Sequence, residues 1–186
     1  NPAPTAVDSD VARLIIGEIE DGACLQIGIG GMPNAVCGLL ANAGIKDLGV
    51  HTEMMTDGIA DLYRAGLITG ARKIVYSFAA GSRTLYDTLD RNADMLCCPS
   101  DYTNAPHLIM QNPRTTAINS TTQIDLTGQA ASESDGNRHL TGTGGQAQFV
   151  RGAYASEGGK SFICLSSTYD KRGERRSRIV FNLTEG

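Results

Sequence analysis

Through the first half of the chain, short apolar runs alternate with segments of helical periodicity, and this alternation constrains the fold more than any other feature. Strands are predicted at residues 24–29, 48–51, 73–78 and 95–98, and helices at residues 34–43, 57–66 and 82–91. Neighbouring parallel strands need a crossover connection, and a helix usually provides it. The pattern therefore predicts an α/β fold: an open, mostly parallel sheet flanked by helices.

After Pro106 the pattern becomes rich in β-strands. Strands are predicted at residues 115–119, 122–127, 161–166 and 177–183, with a helix at residues 146–154. The last two of these strands are expected to be joined by a basic turn around Gly173. The chain stops directly after an apolar strand, which indicates that C-terminal sequence is missing.

The N-terminal end of the chain predicts a linker followed by one domain. The first seven residues, NPAPTAV, are rich in proline and predict the linker, and the domain is expected to occupy residues 8–186. Asp8 or Ser9 can cap the helix that follows. A length of 186 residues suits one domain with a substantial core.

Composition argues against several classes of partner. A net charge of −4 disfavours nucleic acid, which selects a basic surface. No stretch approaches the roughly 18 continuous apolar residues of a membrane span. The five cysteines are odd in number and scattered, without a signal peptide, which favours a reducing cytoplasm. The three histidines lie far apart, so no metal site is predicted.

The segment GIGGMP at residues 28–33 lies between a predicted strand and a predicted helix. Glycines there allow the backbone to approach a phosphate or a pantetheine arm, and the helix N-terminus offers free N–H groups to an anion. The segment fails as a dinucleotide fingerprint, because Pro33 stands where the third glycine is required. A tight turn without a ligand is an equally good interpretation.

The segment HTEMMTDG at residues 51–58 places Glu53 just after a predicted strand. Open α/β sheets bind ligands at that edge, so Glu53 is a candidate for chemistry. The alternatives are an exposed carboxylate or one paired with a buried arginine. His51 is expected to point the same way as Glu53, but the two form no triad without a hydroxyl or thiol partner. Asp57 favours a helix cap.

Three further segments carry candidate residues. GTGGQ at residues 142–146 precedes a predicted helix and forms a second glycine-rich junction that suits an anion. DYTNAP at residues 101–106 is locally a turn, although the amide of Asn104 could donate to a carbonyl oxygen. KRGERRSR at residues 171–178 is either a solvated hairpin tip or a phosphate contact. Two glycine-rich junctions modestly favour a large, phosphate-bearing ligand.

Six segments of the chain resemble one family, both in their residues and in their order along the chain: QIGIGGMPNAV, GVHTEMMTDGIADLYRAGLI, GSRTLYDTL, DYTNAPHLI, IDLTGQAASES and GTGGQAQFVRGA. They are similar to the acetyl-CoA hydrolase/transferase family, and within it most closely to the 4-hydroxybutyrate and butyrate CoA-transferases. The similarity extends from about Asp8 to Leu183. Because members of this family are two-domain chains, the resemblance implies a C-terminal catalytic domain whose N-terminal domain is absent.

The resemblance implies a ping-pong transfer of coenzyme A from an acyl-CoA to a small free carboxylate, with no tightly bound cofactor and a homo-oligomeric protein. It identifies Glu53 as the nucleophile of an H-[ST]-E-M motif and Asn104 as the residue that faces the thioester. The contacts with coenzyme A that it implies fall on Gly28, Ile29, Gly30, Gly31, Met32, Gly142, Gly144, Gly145 and Lys171. Hydrolysis of the acyl-CoA and non-catalytic binding of coenzyme A are the alternatives.

The implied chemistry needs no general base and no metal, since every nucleophile is already an anion near neutral pH. The backbone N–H groups of Gly144 and Gly145 and the amide of Asn104 are expected to face the oxyanions that develop. One position departs from the family's pattern. The second glycine motif reads Gly-Gly-Gln-x-Asp-Phe in the family, whereas this chain has Gln148 in place of the aspartate. If that aspartate orients a loop, the geometry near the thioester differs here.

Overall fold

The computed structural model describes residues 3–70, 74–134 and 138–183. Its helices are α1 (Ala6–Ile16), α2 (Gly31–Leu40), α3 (Asp57–Arg64), α4 (Arg83–Leu89), α5 (Ser100–Thr103), α6 (Pro106–Ile109) and α7 (Gln146–Ala155). The strands of its first half are β1 (Cys24–Ile27), β2 (Gly49–Val50), β3 (Met54–Met55), β4 (Ile74–Tyr76), β5 (Phe78–Ala79) and β6 (Met95–Cys97). Those of its second half are β7 (Thr115–Ser120), β8 (Gln123–Asp125), β9 (Ala130–Ala131), β10 (Lys160–Cys164), β11 (Thr168–Lys171), β12 (Glu174–Ser177) and β13 (Ile179–Val180).

The central sheet is parallel throughout. Its strands lie in the order β10-β7-β1-β2, and Leu25 of β1 lies beside Thr116 of β7 on one side and Val50 of β2 on the other. A bridge between His51 and Val75 joins the end of β2 to β4, which pairs in parallel with β6. This arrangement confirms the predicted α/β fold with a mostly parallel sheet.

Helices cover both faces of the central sheet, as the side chains of β7 show. Successive side chains of a strand point to opposite faces. Ile118 belongs to the large buried cluster that includes side chains of α1 and α2. Ala117 belongs to a smaller cluster with Ile109 of α6 and Phe149 of α7. The sheet is therefore buried on both sides, as parallel sheets usually are.

Helices α6 and α7 pack closely against each other on one face of the sheet. A Cβ atom placed on Gly152 of α7 would lie 2.5 Å from both Cβ and Cγ2 of Ile109 on α6. Both residues are buried. Glycine at this position therefore allows the two helices to approach one another more closely than any other residue would.

The C-terminal part is rich in β-structure, as predicted, but its strands differ from the prediction. The predicted strand at residues 177–183 is divided: β12 pairs antiparallel with β11, while β13 pairs in parallel with β8. Arg172 and Gly173 form the tip between β11 and β12 with φ angles of +55° and +83°. Positive φ at both central residues is the type I′ geometry of tight hairpins. The basic run is thus an exposed hairpin that does not connect β10 to the last strand.

Helix α1 begins earlier than predicted. Its N-cap is Thr5, where Asp8 or Ser9 was expected. The Oγ1 atom of Thr5 accepts a hydrogen bond from the N–H of Asp8 (3.1 Å), and the Asp8 carboxylate accepts one from the N–H of Thr5 (2.8 Å). This reciprocal pair is a capping box. Ala6 and Val7 therefore belong to the helix and not to a linker.

Asp57 is also not the cap that its position suggested. Thr56 is the N-cap residue of α3. The carboxylate of Asp57 instead accepts hydrogen bonds from the N–H of Ser82 (3.1 Å) and from its hydroxyl (2.6 Å). Since Ser82 is the N-cap of α4, Asp57 ties the start of α3 to the start of α4.

Three predictions concern residues outside the described part of the chain: the first two positions of the linker, the start of a strand at Lys73, and the end of the chain at residues 184–186. Across the described residues, no helix has both the length and the apolar character needed to cross a membrane. The five cysteines are all described, and they form no disulfide.

We expect Gly152→Ala to lower the free energy of unfolding by about 1–3 kcal/mol, because the added methyl group overlaps Ile109 close to its backbone. Chemical denaturation of the purified protein measures this change. Gly38→Ala is the matched control, since Gly38 is an exposed helical position with no atom within 4 Å of the added carbon. Alanine there should stabilise the protein by up to about 1 kcal/mol. Equal stabilities of the two variants would contradict the tight contact.

Candidate active site

Glu53 lies at a bend where the chain leaves one strand pair and enters another. His51 forms a bridge to β4, and Met54 pairs with Phe78 of β5. Between these two pairings, the backbone carbonyl oxygen of Glu53 accepts hydrogen bonds from the N–H groups of Ser77 (2.9 Å) and Phe78 (3.2 Å). The strand does not simply end before Glu53, as predicted, because it resumes as β3. The backbone of Glu53 is therefore held on both sides.

Each oxygen of the Glu53 carboxylate accepts a hydrogen bond from a different element. The Nδ2 atom of Asn104 donates to Oε1 at 2.9 Å. The backbone N–H of Gly145 donates to Oε2, also at 2.9 Å. Hydrogen bonds to an ionised carboxylate are stronger than those between neutral groups. The carboxylate is half-buried and has a defined orientation in the site.

Gly145 is a glycine because the Glu53 carboxylate occupies the space where a side chain would lie. A Cβ atom on Gly145 would be 2.8 Å from Oε2 of Glu53 and 2.9 Å from Nδ2 of Asn104. Gly145 is also the N-cap of α7, whose partial positive charge favours an anion at that end. The second glycine-rich junction therefore does hold an anion, but that anion belongs to the chain itself.

Asn104 reaches Glu53 from the turn between α5 and α6. It is the C-cap of α5, and its N–H donates to the carbonyl oxygen of Ser100 at 2.9 Å. Its Oδ1 atom is buried and has no hydrogen-bond partner among the described residues, and the same is true of Oε1 of Gln148 on α7. A buried acceptor without a partner costs roughly 1–3 kcal/mol. Asn104 thus directs its donor group at Glu53, while its acceptor atom stays buried beside α7 without a partner among the described residues.

A cavity of about 320 Å³ adjoins Glu53 and brings both glycine segments together. The predicted residues that line it, besides Glu53, are Gly28, Ile29, Gly142, Gly144 and Gly145. Apolar side chains form much of the remaining wall: Ile27, Met54, Phe78 and Phe149. In the described residues, no group of His, Cys, Asp and Glu side chains is arranged to hold a metal ion.

A buried pair of amides lines the same cavity, and the sequence analysis did not identify it. Nε2 of Gln26 donates to Oδ1 of Asn119 at 3.1 Å, and Nδ2 of Asn119 donates to Oε1 of Gln26 at 2.9 Å. The two residues belong to the neighbouring strands β1 and β7. A glutamine inside the otherwise apolar strand β1 was the available signal, but only the strand register shows that it meets Asn119 of β7.

The remaining residues of the first glycine segment line a neighbouring cavity of about 290 Å³. Gly30, Gly31 and Met32 lie there, and Ile29 lines both cavities. A Cβ atom on Gly31 would lie 2.8 Å from Oδ2 of Asp8. A phosphate approaching this end of α2 would therefore meet a carboxylate of α1, which the sequence analysis did not foresee.

Lys171 lies apart from Glu53, in a third cavity of about 210 Å³. Arg178 lines this third cavity and also the cavity of Gly30 and Gly31. Its guanidinium lies 4.7 Å from the ring centroid of Tyr169, and its Nη1 donates to the carbonyl oxygen of Thr122 at 3.0 Å. Arg178 thus lines two cavities whereas Lys171 lines one, and the sequence analysis did not single out Arg178 from the basic run.

His51 is buried, and both of its ring nitrogens have partners within the chain. Its Nε2 atom lies 2.8 Å from the carbonyl oxygen of Thr103, and Nδ2 of Asn112 lies 3.2 Å from its Nδ1 atom. Burial lowers the pKa of His51 below its ordinary value, and the hydrogen bond to Thr103 offsets part of this shift. His51 and Glu53 therefore both face the α5–α6 segment, but His51 does so as a structural donor and not as part of a triad.

Comparison with known proteins identifies close relatives. A family model described as the acetyl-CoA hydrolase/transferase C-terminal domain matches residues 81–186. The chain is 49% identical over 191 residues to the butyryl-CoA:acetate CoA-transferase of Anaerostipes caccae. That match covers 99% of this chain but 43% of the relative, so the chain spans less than half of the relative's length.

Solved structures give the same result. RipA from Yersinia pestis is similar with a TM-score of 0.84 and 40% identity, over 98% of this chain and 41% of that one. The 4-hydroxybutyrate CoA-transferase from Porphyromonas gingivalis is similar with a TM-score of 0.81 and 38% identity, over 100% of this chain and 45% of that one. These matches confirm the predicted fold and the resemblance drawn from the sequence motifs.

We expect the stability of the protein to fall as the pH drops below about 6.5, in part because of His51. Its pKa is lower in the folded state than in the unfolded state, so the unfolded chain gains a proton that the folded protein excludes. This stabilisation is complete above the unfolded pKa and is lost as the pH falls toward the folded one. Denaturation at about pH 8 and about pH 5 measures the difference in unfolding free energy.

His51→Gln should reduce this difference between the two pH values, because glutamine does not titrate. The same substitution at the exposed His107 is the matched control. If His51→Gln leaves the pH dependence of stability as steep as in the unmodified protein, the assignment of a buried neutral His51 is wrong.

Proposed function

The chain belongs to the acetyl-CoA hydrolase/transferase family, and on that basis we propose that the full-length protein transfers coenzyme A from an acyl-CoA to a free carboxylate. Glu53 is the proposed nucleophile, and a glutamyl-CoA thioester is the proposed intermediate. One observation carries this proposal: the Glu53 carboxylate is held by Asn104 and Gly145 at the wall of a cavity that both glycine segments line.

The first half of the reaction forms the thioester. A carboxylate oxygen of Glu53 attacks the carbonyl carbon of the acyl-CoA, the carbon–sulfur bond breaks, and an acyl-glutamyl anhydride and a CoA thiolate result. The thiolate then attacks the glutamyl carbonyl carbon and expels the acyl group as a free carboxylate. An acceptor carboxylate reverses both steps. No proton moves in this sequence, which agrees with a buried His51 whose two ring nitrogens are both engaged within the protein.

The two donors to Glu53 acquire separate roles as the reaction proceeds. One carboxylate oxygen becomes the bridging oxygen of the anhydride, and the other becomes the glutamyl carbonyl oxygen. The donor on the carbonyl oxygen can stabilise the oxyanion that forms when the thiolate attacks. The donor released by the attacking oxygen is free to contact the oxyanion of the substrate. A single such donor contributes roughly 3 kcal/mol to the transition state.

We assign the binding of coenzyme A to the two glycine segments and to the basic residues of the C-terminal part, Lys171 and Arg178. The cavity of Gly30 and Gly31 adjoins that of Glu53 at Ile29, so a pantetheine arm could extend from one into the other. Lys171 and Arg178 are the candidates for a phosphate of the nucleotide. Binding energy from this remote part of the substrate can be used to orient the thioester.

The apolar wall of the Glu53 cavity suits a short acyl chain. Ile27, Met54, Phe78 and Phe149 contribute to that wall. With the names of the similar proteins, this favours butyrate, acetate or 4-hydroxybutyrate as the acyl group or acceptor. The length of the Anaerostipes relative also supports an N-terminal domain that completes the site. A homo-oligomer stays a prediction.

We expect Glu53→Gln to reduce transfer by at least about a thousandfold, because an amide is a poor nucleophile at the thioester. Glu53→Asp should retain little activity, since its carboxylate retreats by one methylene group. The direct measurement is to incubate the full-length protein with acyl-CoA, reduce it with borohydride, and map the modified residue by mass spectrometry. The modification should fall on Glu53, and a modification on any other residue would show that the assignment is wrong.

Assays of thiol release and of transfer on the full-length protein, together with the adduct mapping, distinguish transfer from its alternatives. Release of free thiol without an acceptor carboxylate, at the rate of transfer, would favour an acyl-CoA hydrolase. Binding of coenzyme A without any covalent adduct would favour a non-catalytic binding module. Transfer at a rate well above hydrolysis supports the proposal.

Gly145→Ala should lower the transfer rate about 100-fold, because the added methyl group displaces the Glu53 carboxylate and the Asn104 amide. Steady-state kinetics on the full-length protein measure this loss. Gly38→Ala, on an exposed face of α2, serves as the control and should keep normal activity. Normal activity in Gly145→Ala would mean that the contact between Gly145 and Glu53 is not needed for catalysis.

A further inference from the structure

The ring of His51 has one defined protonation state. Nδ2 of Asn112 lies 3.1 Å from the carbonyl oxygen of Ile109, which can only accept, so this amide nitrogen is correctly oriented as a donor. The same nitrogen faces Nδ1 of His51 at 3.2 Å, and Nδ1 is therefore the acceptor. The proton of the ring then lies on Nε2, which donates to the carbonyl oxygen of Thr103 at 2.8 Å.

His51 contacts both segments that supply the donors to Glu53. Thr103 directly precedes Asn104, whose amide donates to Oε1 of Glu53. The ring of His51 also meets the ring of Phe149 edge to face, with centroids 6.1 Å apart and planes at 71°. Phe149 is in the first turn of α7, and its N–H donates to the carbonyl oxygen of Gly145 at 3.0 Å.

We propose that His51 is a positioning residue that sets the distance between Glu53 and its two hydrogen-bond donors. The inference rests on the proposed role of Glu53 as the nucleophile. His51 precedes Glu53 by two residues on a backbone held by strand pairing, and its ring spans the gap to Thr103 and to Phe149. A shift of this ring would therefore move Asn104 and Gly145 relative to the carboxylate.

His51 acts through these neighbours and not on the substrate. Both ring nitrogens are occupied by partners within the protein, and the side chain is 4% exposed. The partners of the ring are the Thr103 carbonyl, the Asn112 amide and the Phe149 ring, and none of these three groups titrates. The reaction also requires no proton transfer at this position. The expected signature is therefore a slower chemical step with unchanged binding of the acyl-CoA.

Two substitutions in the full-length protein test this role. His51→Phe keeps a ring against Phe149 but removes the donor to Thr103. His51→Gln keeps a donor, because its side-chain amide nitrogen can occupy the place of Nε2. We expect His51→Phe to lower kcat about 100-fold with little change in KM for the acyl-CoA, and His51→Gln to restore most of the lost rate. Borohydride trapping should show a matching slowing of adduct formation on Glu53 in a single turnover.

Several results would overturn the inference. Adduct formation at the unmodified rate in a folded His51→Phe protein is one, and a higher KM at unchanged kcat is another. If His51→Phe does not fold, His51→Asn replaces it, since that shorter amide reaches the place of Nδ1 but not that of Nε2. Asparagine should then be much slower than glutamine, and equal rates would contradict the positioning role. Absence of a Glu53 adduct in the unmodified protein would instead overturn the proposed function.

Discussion

The structure of this site depends on one interaction, the pair of hydrogen bonds that hold the carboxylate of Glu53. The donors come from residues that are 51 and 92 positions away in the sequence. Both donors are too far from Glu53 in the sequence to meet it through a local turn. The α/β fold therefore has to bring Glu53, the α5–α6 turn and the start of α7 to one edge of the sheet. The N-terminal end of α7 adds a favourable potential for the negative charge. The half-buried carboxylate of Glu53 therefore takes both of its hydrogen-bond donors from the chain itself.

This interaction explains why a glycine stands at position 145, in the second glycine-rich junction (residues 142–146). Glycine-rich turns before helices commonly serve phosphate groups, and the sequence favoured such a ligand modestly. In the structure, the space beside Gly145 is filled by the Glu53 carboxylate, and the space beside Gly31 by that of Asp8. The same backbone feature that suits a bound anion here accommodates carboxylates of the chain. Packing of Gly152 against Ile109 supports the arrangement by holding α7 close to α6.

Much of the fold could be predicted from the sequence, because strand and helix periodicities are local properties. The alternation up to Cys97, the strand of β7 and the helix of α7 all follow from such patterns. The predicted element boundaries were wrong where side-chain hydrogen bonds or distant pairing partners decide where an element begins and ends. Thr5 begins α1 through a capping box, and the strand predicted at residues 177–183 is interrupted so that its two parts join different sheets. Pairing partners, which local patterns do not contain, decided the second case.

For the site, the sequence by itself determined which residue types are present and that they resemble one family: a glutamate after a strand, an asparagine in a turn and two glycine segments. Only the tertiary structure decided that Asn104 and Gly145 donate to Glu53, that His51 contacts both donor segments, and that Lys171 lies in a separate cavity. The Gln26–Asn119 pair also emerges only from strand register. The physical reason is that hydrogen bonds act over about 3 Å, and only folding brings distant residues within that range.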